Sequence, residues 1–395
     1  MLIGALAAVS AAESLAGQQK VALGKPLAET AESFTQVTSI RELPSGKVLV
    51  SDQRDKIVQL VDLSAGTMTK VGREGSGPGE YAFAGSLLAM PDGTTLLHDL
   101  LNNRFLIIGA DGKPSAFLEM PRTPEGSTGS GSGRMPLGRM MNIRGSDNRG
   151  RLYFAGSPFS ATGGTADSVP LLRWDRVKPT FDTVGYLRLP ANSVSRTEPA
   201  RGQMMVRMGN NIQFTPAETW GVAGDGSVAR IFPSPYRVAW YSDQRKVISG
   251  PVVPYTPFKV TEADKKEVID AQRRNPGVTM VIGGPGGGGA RPGAAPPSVQ
   301  LPEPEFAETK PPYNAGLGLA GAAVVVAPEG DVWVLRTRPA GDKIPTYDVF
   351  DRTGTLVKKV SLNPSSRVVG FGKGVVYVAR SDEDDLVYLQ RFTRP

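Results

Sequence analysis

One short pattern recurs six times along this chain: an apolar strand, a glycine-bearing turn, and a second strand rich in valine, leucine and aromatic residues. The turns are Pro44-Ser45-Gly46, Pro91-Asp92-Gly93, Asp147-Asn148-Arg149-Gly150, Gly224-Asp225-Gly226, Pro328-Glu329-Gly330 and Gly372-Lys373-Gly374. The segments after them read KVLVSD, TTLLHD, RLYFAG, SVARIF, DVWVLR and VVYVAR. Glycine supplies the positive φ that such hairpin turns need, and Asp or Asn tolerates it. A third strand is predicted in each unit, at 57–61, 104–108, 169–174, 236–241, 347–350 and 386–392. A further turn and a fourth strand usually follow, as in Asp351-Arg352-Thr353-Gly354 leading into 355–361.

Six such units predict an all-β fold, a six-bladed β-propeller of four-stranded antiparallel blades. Successive turn glycines are 47, 57, 76, 104 and 44 residues apart. The short intervals match one blade, and the long ones are blades with insertions. The last unit ends after three strands, so residues 20–29 are expected to supply its outer strand, closing the ring and covering an edge. Composition agrees: 47 glycines and 33 prolines are about a fifth of the 395 residues, well above average usage.

Other counts exclude chemistry. With no cysteine there are no disulfides, thiolate metal sites or cysteine nucleophiles, and a single histidine, His98, rules out sites needing several imidazoles. The net charge of +7 comes without dense Lys/Arg runs, so no nucleic-acid partner is expected. Residues 1–9 (MLIGALAAV), followed by the small residues Ser10-Ala11-Ala12, have the character of a secretory signal without its basic start. The expected division is therefore a signal-like segment 1–19 and a propeller 20–395, exported to the periplasm or beyond and monomeric. No stretch is long and apolar enough to predict a transmembrane span.

The segment Val71-Gly72-Arg73-Glu74-Gly75-Ser76-Gly77-Pro78-Gly79-Glu80-Tyr81, with Met90-Pro91-Asp92-Gly93 and Asp99-Leu100-Leu101-Asn102-Asn103-Arg104-Phe105, resembles the NHL-repeat-like six-bladed propellers of bacteria. That family pairs a Gly-rich G-x-x-G-x-G-P-G-E linker with a P-D-G turn and a D-x-x-N-N-R turn. The stretch 213–261, with Trp220, Tyr236, Trp240 and Pro254-Tyr255, is similar to exported, uncharacterised members. Later blades repeat neither N-N-R nor the Gly-rich linker. The resemblance implies the fold and leaves function open, because propellers host many roles.

Strand order converts sequence into faces. With the six glycine turns joining first to second strands, the inter-blade connections and second-to-third loops share the opposite face. The three large insertions, 121–137, 189–216 and 250–319, are all inter-blade connections and are expected to gather there. Such clustering often marks the binding face of a repeat fold. Residues 121–144 and 190–216 hold five of the seven net positive charges and six of eleven methionines. Arginine beside flexible methionine suits an anionic, partly apolar ligand. Arg139, Arg144, Arg201 and Arg207 are the expected anion contacts, with Arg73 and Glu80 at the channel mouth. In the third insertion Thr261-Glu262-Ala263-Asp264 predicts a capped surface helix over 261–274 with Glu262/Lys266 and Asp270/Arg274 pairs. Residues 283–297 are expected to be disordered.

Catalytic readings are weaker. His98 lies in an apolar strand and no G-x-S-x-G elbow accompanies it. Calcium-dependent lactonases share the six-bladed shape, and an alternative reading makes this chain a metal-dependent hydrolase holding Ca²⁺ with Glu80, Asp99 and Asn103, the neighbouring Asn102 being a further candidate oxygen ligand. The acidic run Asp382-Glu383-Asp384-Asp385 reads as a solvated hairpin tip. Gly72–Glu80 reads first as a tight blade-to-blade crossover and second as an anion-binding nest. The leading expectation is an exported binding module without a cofactor, docking a protein or anionic ligand on the insertion face.

Overall fold

Alternation of side chains along each strand sets the architecture. Leu49 packs toward Leu87, Leu97 and Leu106, while its neighbours Val48 and Val50 pack toward Tyr377, Ala379 and Leu389. A strand that is apolar on both faces needs a sheet on each side, and a ring of blades provides it without end sheets. In the computed structural model, the described residues are 19–121, 142–156, 166–190, 194–197, 204–208, 212–244, 246–274, 280–282, 304–315 and 323–395. They form a six-bladed β-propeller.

Blade 1 comprises Ser39–Glu42, Val48–Asp52, Ile57–Asp62 and Thr67–Lys70, and blade 2 Leu87–Ala89, Thr95–Asp99, Arg104–Ile108 and Pro114–Glu119. Blade 3 comprises Asn142–Ser146, Leu152–Ala155, Ser168–Asp175 and Thr180–Arg188. Blade 4 is Thr219–Val222, Val228–Pro233, Tyr236–Tyr241 and Val247–Ser249. Blade 5 is Val324–Val326, Val332–Leu335, Thr346–Phe350 and Leu356–Ser361; blade 6 is Ser366–Gly372, Val375–Ser381 and Val387–Thr393. All pairings within these runs are antiparallel. All six turn glycines have positive φ, from 70° at Gly374 to 107° at Gly330.

Ring closure divides the N-terminal stretch between two blades. Ala28–Glu29 pairs antiparallel with Val387–Thr393 as the outer strand of blade 6, and a bridge from Phe34 to Val387 extends it. Gln19–Ala22 instead runs parallel to Leu356–Ser361 and becomes a fifth strand on blade 5. The expected closure is thus made by the later half of the segment. Glu29 adds an ion pair to Arg380 at 2.6 Å.

Hydrophobic clusters lie at the blade interfaces, one for each neighbouring pair among the described residues. The first strands of successive blades touch one another around the ring, so they form the wall of the central channel. Small residues permit that approach: a Cβ on Gly221 would stand 2.5 Å from Val326, and one on Gly370 would stand 2.7 Å from Ile40.

Candidate functional site

The second and third insertions are joined by backbone pairing. Val194–Thr197 and Met204–Met208 form a hairpin, and Met280–Ile282 of the third insertion pairs antiparallel with its second strand. Ile212–Gln213 also pairs with Glu305–Phe306. Two connections separated by the whole of blade 4 therefore build one sheet on the side of the inter-blade crossings. Arg207 lies on the central strand of that sheet, opposite Ser195. Arg139 and Arg201, most of the first insertion, and the low-complexity run 283–297 lie outside the described residues.

The third insertion is anchored by buried polar groups. Helix α1 (Glu262–Arg274) starts with a reciprocal cap: Thr261 N–H donates to Asp264 Oδ2 at 2.9 Å, and Asp264 N–H donates to Thr261 Oγ1 at 3.3 Å. Asp264 and Lys310 are 3% and 4% exposed and form an ion pair, with Lys310 also donating to Arg338 O at 2.6 Å. Burial raises the Asp264 pKa, but the Lys310 and Thr261 bonds outweigh it and hold the carboxyl below its ordinary value. Tyr255 Oη lies 3.0 Å from both Lys310 O and Pro311 O, and Tyr313 Oη donates to Ala217 O and Ile231 O. Along α1 the pairs are Lys265–Glu262, Lys266–Asp270 and Arg273–Asp270. The expected Glu262/Lys266 pair is replaced, because each of these flexible side chains meets another neighbour on the same helix face, and the side chain of Arg274, expected to pair with Asp270, lies outside the described residues.

The Gly-rich linker is an anion cradle filled by its own chain. Gly77 N–H donates to Glu80 Oε2 at 2.7 Å, and Arg73 Nε donates to Glu80 Oε1 at 2.7 Å. These bonds, the Gly77 one foremost, hold the Glu80 carboxyl below its ordinary pKa. A Cβ on Gly75, whose φ is 151°, would stand 2.2 Å from Glu80 Oε2. The nest thus leaves Glu80 folded into it, with Arg73 closing the outside.

Asp99, at the end of the second strand of blade 2, is fully buried. Its Oδ1 accepts the N–H groups of Ala82 and Phe83 at 3.1 Å, and its Oδ2 accepts Asn102 Nδ2 at 2.7 Å. Asp52 holds the same place in blade 1, accepting N–H groups from Thr35 and Gln36. Each aspartate locks the chain entering the first strand of its own blade. Asn103 has φ of 52° in the turn between strands two and three. Glu80 and Asp99 thus spend their oxygens on the chain's own donors and do not fit the set of free oxygens a calcium ion takes. Among the described residues, no group of three or more Asp, Glu, His or Cys side chains is placed to hold an ion.

His98 is 6% exposed, with its ring centroid 5.6 Å from that of Phe105, and burial lowers its pKa to about 4. The acidic run is a hairpin tip in which Asp382 Oδ1 accepts the N–H groups of Asp384 and Leu386.

Of the expected arginines, Arg73 is paired with Glu80, whereas Arg144 is not paired with a carboxylate among the described residues. It stands on the first strand of blade 3, at a bulge: Ile143 pairs with Phe154 and Gly145 with Tyr153, leaving Arg144 without an opposite residue. Its Nε is buried without a hydrogen-bond partner. Two more arginines, Arg41 and Arg367, occupy the first strands of blades 1 and 6. Sequence reasoning passed over these two. For Arg367 the signal was an arginine inside a largely apolar first strand, SRVVGFG; the strand of Arg41, SIRE, is mostly polar and offers no such signal.

No family profile matches the chain, and no curated protein matches it in sequence. Among solved structures it is similar to virginiamycin B lyase from Staphylococcus aureus, with 11% identity, coverage of 94% of this chain and 99% of the other, and a TM-score of 0.40. It is also similar to regucalcin, a calcium-binding protein from Agrobacterium tumefaciens, with 10% identity, 95% and 97% coverage and a TM-score of 0.43. A Bacteroides fragilis protein named as exported gives 11% identity, 96% and 99% coverage and a TM-score of 0.46. No helix among the described residues is long and apolar enough to cross a membrane.

Proposed function

We propose that this chain is an exported propeller that works as a binding module, taking an anionic, partly apolar ligand on the face that carries the inter-blade insertions. The observation that carries the reading is the backbone sheet joining Met204–Met208 to Met280–Ile282. Two long insertions that pair with each other across a blade make a composite surface, which solvated loops of independent path do not. The sheet brings the Arg/Met-rich segment 204–208 to the centre of that surface. Arg139, Arg201 and Arg207 supply charge, methionine supplies adaptable apolar contact, and Arg144 stands below on the channel wall. The buried Asp264–Lys310 pair supports the same reading, since it fixes the third insertion against the ring.

The test uses 8-anilinonaphthalene-1-sulfonate, an anionic aromatic probe, titrated by fluorescence at low and high salt. Saturable binding that weakens with salt, and weakens again in an Arg139→Gln/Arg207→Gln double variant, supports the proposal. Binding unchanged by both salt and the double variant overturns it. Export is checked separately by whether the full chain expressed with residues 1–19 appears outside the cytoplasm, shortened at its N-terminus.

A further inference from the structure

The six first strands that line the channel read SIRE, LLA, NIRGS, TWGV, VVV and SRVVGFG. They contain three arginines, Arg41, Arg144 and Arg367, and one carboxylate, Glu42. That carboxylate is already engaged, accepting Tyr377 Oη and the N–H of Lys373. No ion pair joins any of the three guanidinium groups to a carboxylate among the described residues. Arg367 donates to Val37 O and Arg41 to Glu42 O, both backbone carbonyls. The Nε atoms of Arg41 and Arg144 are buried without a partner.

Position in the ring supplies the geometry. Blade 3 stands opposite blade 6 in a six-membered ring, so Arg144 and Arg367 come from facing walls of the channel, while Arg41 stands on blade 1 beside blade 6. The bulge at Arg144 takes it out of register with the second strand, a device that re-aims a side chain. All three arginines keep some solvent-accessible surface although they lie on the innermost strands. Burial lowers the pKa of each; for Arg144 it is the sole cause, while at Arg41 the neighbouring Glu42 carboxylate opposes it. Arginine remains protonated in proteins even so. A protonated guanidinium deep in protein without a counter-charge carries a desolvation penalty that an incoming anion relieves.

We infer that the central channel is an oxyanion site, in which Arg144 and Arg367 clamp a carboxylate- or phosphate-bearing ligand from opposite walls and Arg41 adds a third donor. The site shares Arg144 with the proposed docking face and needs none of the three insertions. A ligand bridging facing walls must present oxygens on more than one side, so a phosphate or a compact polycarboxylate fits better than a single acetate-like group.

The experiment is calorimetric titration and thermal unfolding of the full chain with inorganic phosphate, citrate and acetate as probes. The variants are Arg144→Gln, Arg367→Gln, Arg207→Gln and, as a control on the exposed outer turn of blade 3, Lys178→Gln. Citrate or phosphate is expected to bind and raise Tm in the parent and in Lys178→Gln, with acetate weaker. A response to phosphate alone identifies a phosphate site, and a response to citrate alone a carboxylate site. Arg144→Gln and Arg367→Gln are each expected to weaken binding about tenfold or more, the loss of one charge-assisted hydrogen bond.

A purely structural role predicts that these variants lower Tm without ligand. Removal of an uncompensated charge predicts an unchanged or higher Tm. Loss of binding in Arg367→Gln with retention in Arg207→Gln supports the channel site whatever becomes of the docking face; the converse pattern supports the face and overturns the channel site. Should one variant fail to fold, the other decides. Absence of binding by phosphate and citrate, or equal binding by the parent and both channel variants, overturns the inference.

Discussion

The chain's only histidine makes one pH effect separable from all others. His98 lies on the second strand of blade 2, opposite Phe105, and its burial lowers its pKa from 6.5 to about 4. The unfolded chain therefore binds a proton between these values that the folded chain refuses. Stability is full above the unfolded value and falls as pH drops from 6.5 toward 4, by up to ~1.4 kcal/mol per pH unit. Between pH 7 and pH 5 this one group should remove about 2 kcal/mol. Carboxylates contribute to the slope below pH 5 as well, so the measured quantity is a difference. Urea unfolding of the parent and of His98→Leu at pH 7, 6, 5.5 and 5 should give curves that separate by about 2 kcal/mol across the series. NMR needs no assignment, because one imidazole gives one titrating signal, with its midpoint expected near 4. A midpoint near 6.5, or parallel pH dependence in the two proteins, would refute the argument that burial keeps this ring neutral.

Further outcomes follow from particular contacts. Asp99→Ala should cost about 3 kcal/mol or more in chemical unfolding, since it leaves the buried Ala82 and Phe83 N–H groups without their acceptor; a cost below about 1 kcal/mol would show that water takes over the lock. Lys310→Met should speed hydrogen exchange throughout α1, whereas Asp264→Leu/Lys310→Met should recover much of that protection, because one buried charge left alone costs more than none. Equal exchange in the single and double variants contradicts this. Deleting residues 1–30 removes the outer strand of blade 6 and the Glu29–Arg380 pair, and Tm should fall by several degrees; an unchanged Tm would mean that the ring closes without them.

Much of the architecture was readable residue by residue. The six turns carry glycine where φ must be positive, and the predicted third strands at 104–108 and 236–241 coincide with Arg104–Ile108 and Tyr236–Tyr241. Turn conformation and side-chain alternation are local properties, set within a few residues. The helix in the third insertion was legible for the same reason, through Thr261 and Asp264. The partner of Glu262 was not, because several partners of near-equal energy compete on an exposed helix.

The sequence by itself determined the period, the blades, the turn chemistry and the placement of long insertions between blades. Tertiary structure alone decided where charge is exposed and where it is stranded. Glu80 has the composition of a ligand in a Gly-rich loop, yet it fills that loop itself. Arg367 is marked locally only as an arginine in an apolar strand, and ring closure sets it on the wall facing Arg144. Desolvation and charge pairing depend on groups brought together from distant parts of the chain. Such terms are fixed only once the ring is closed.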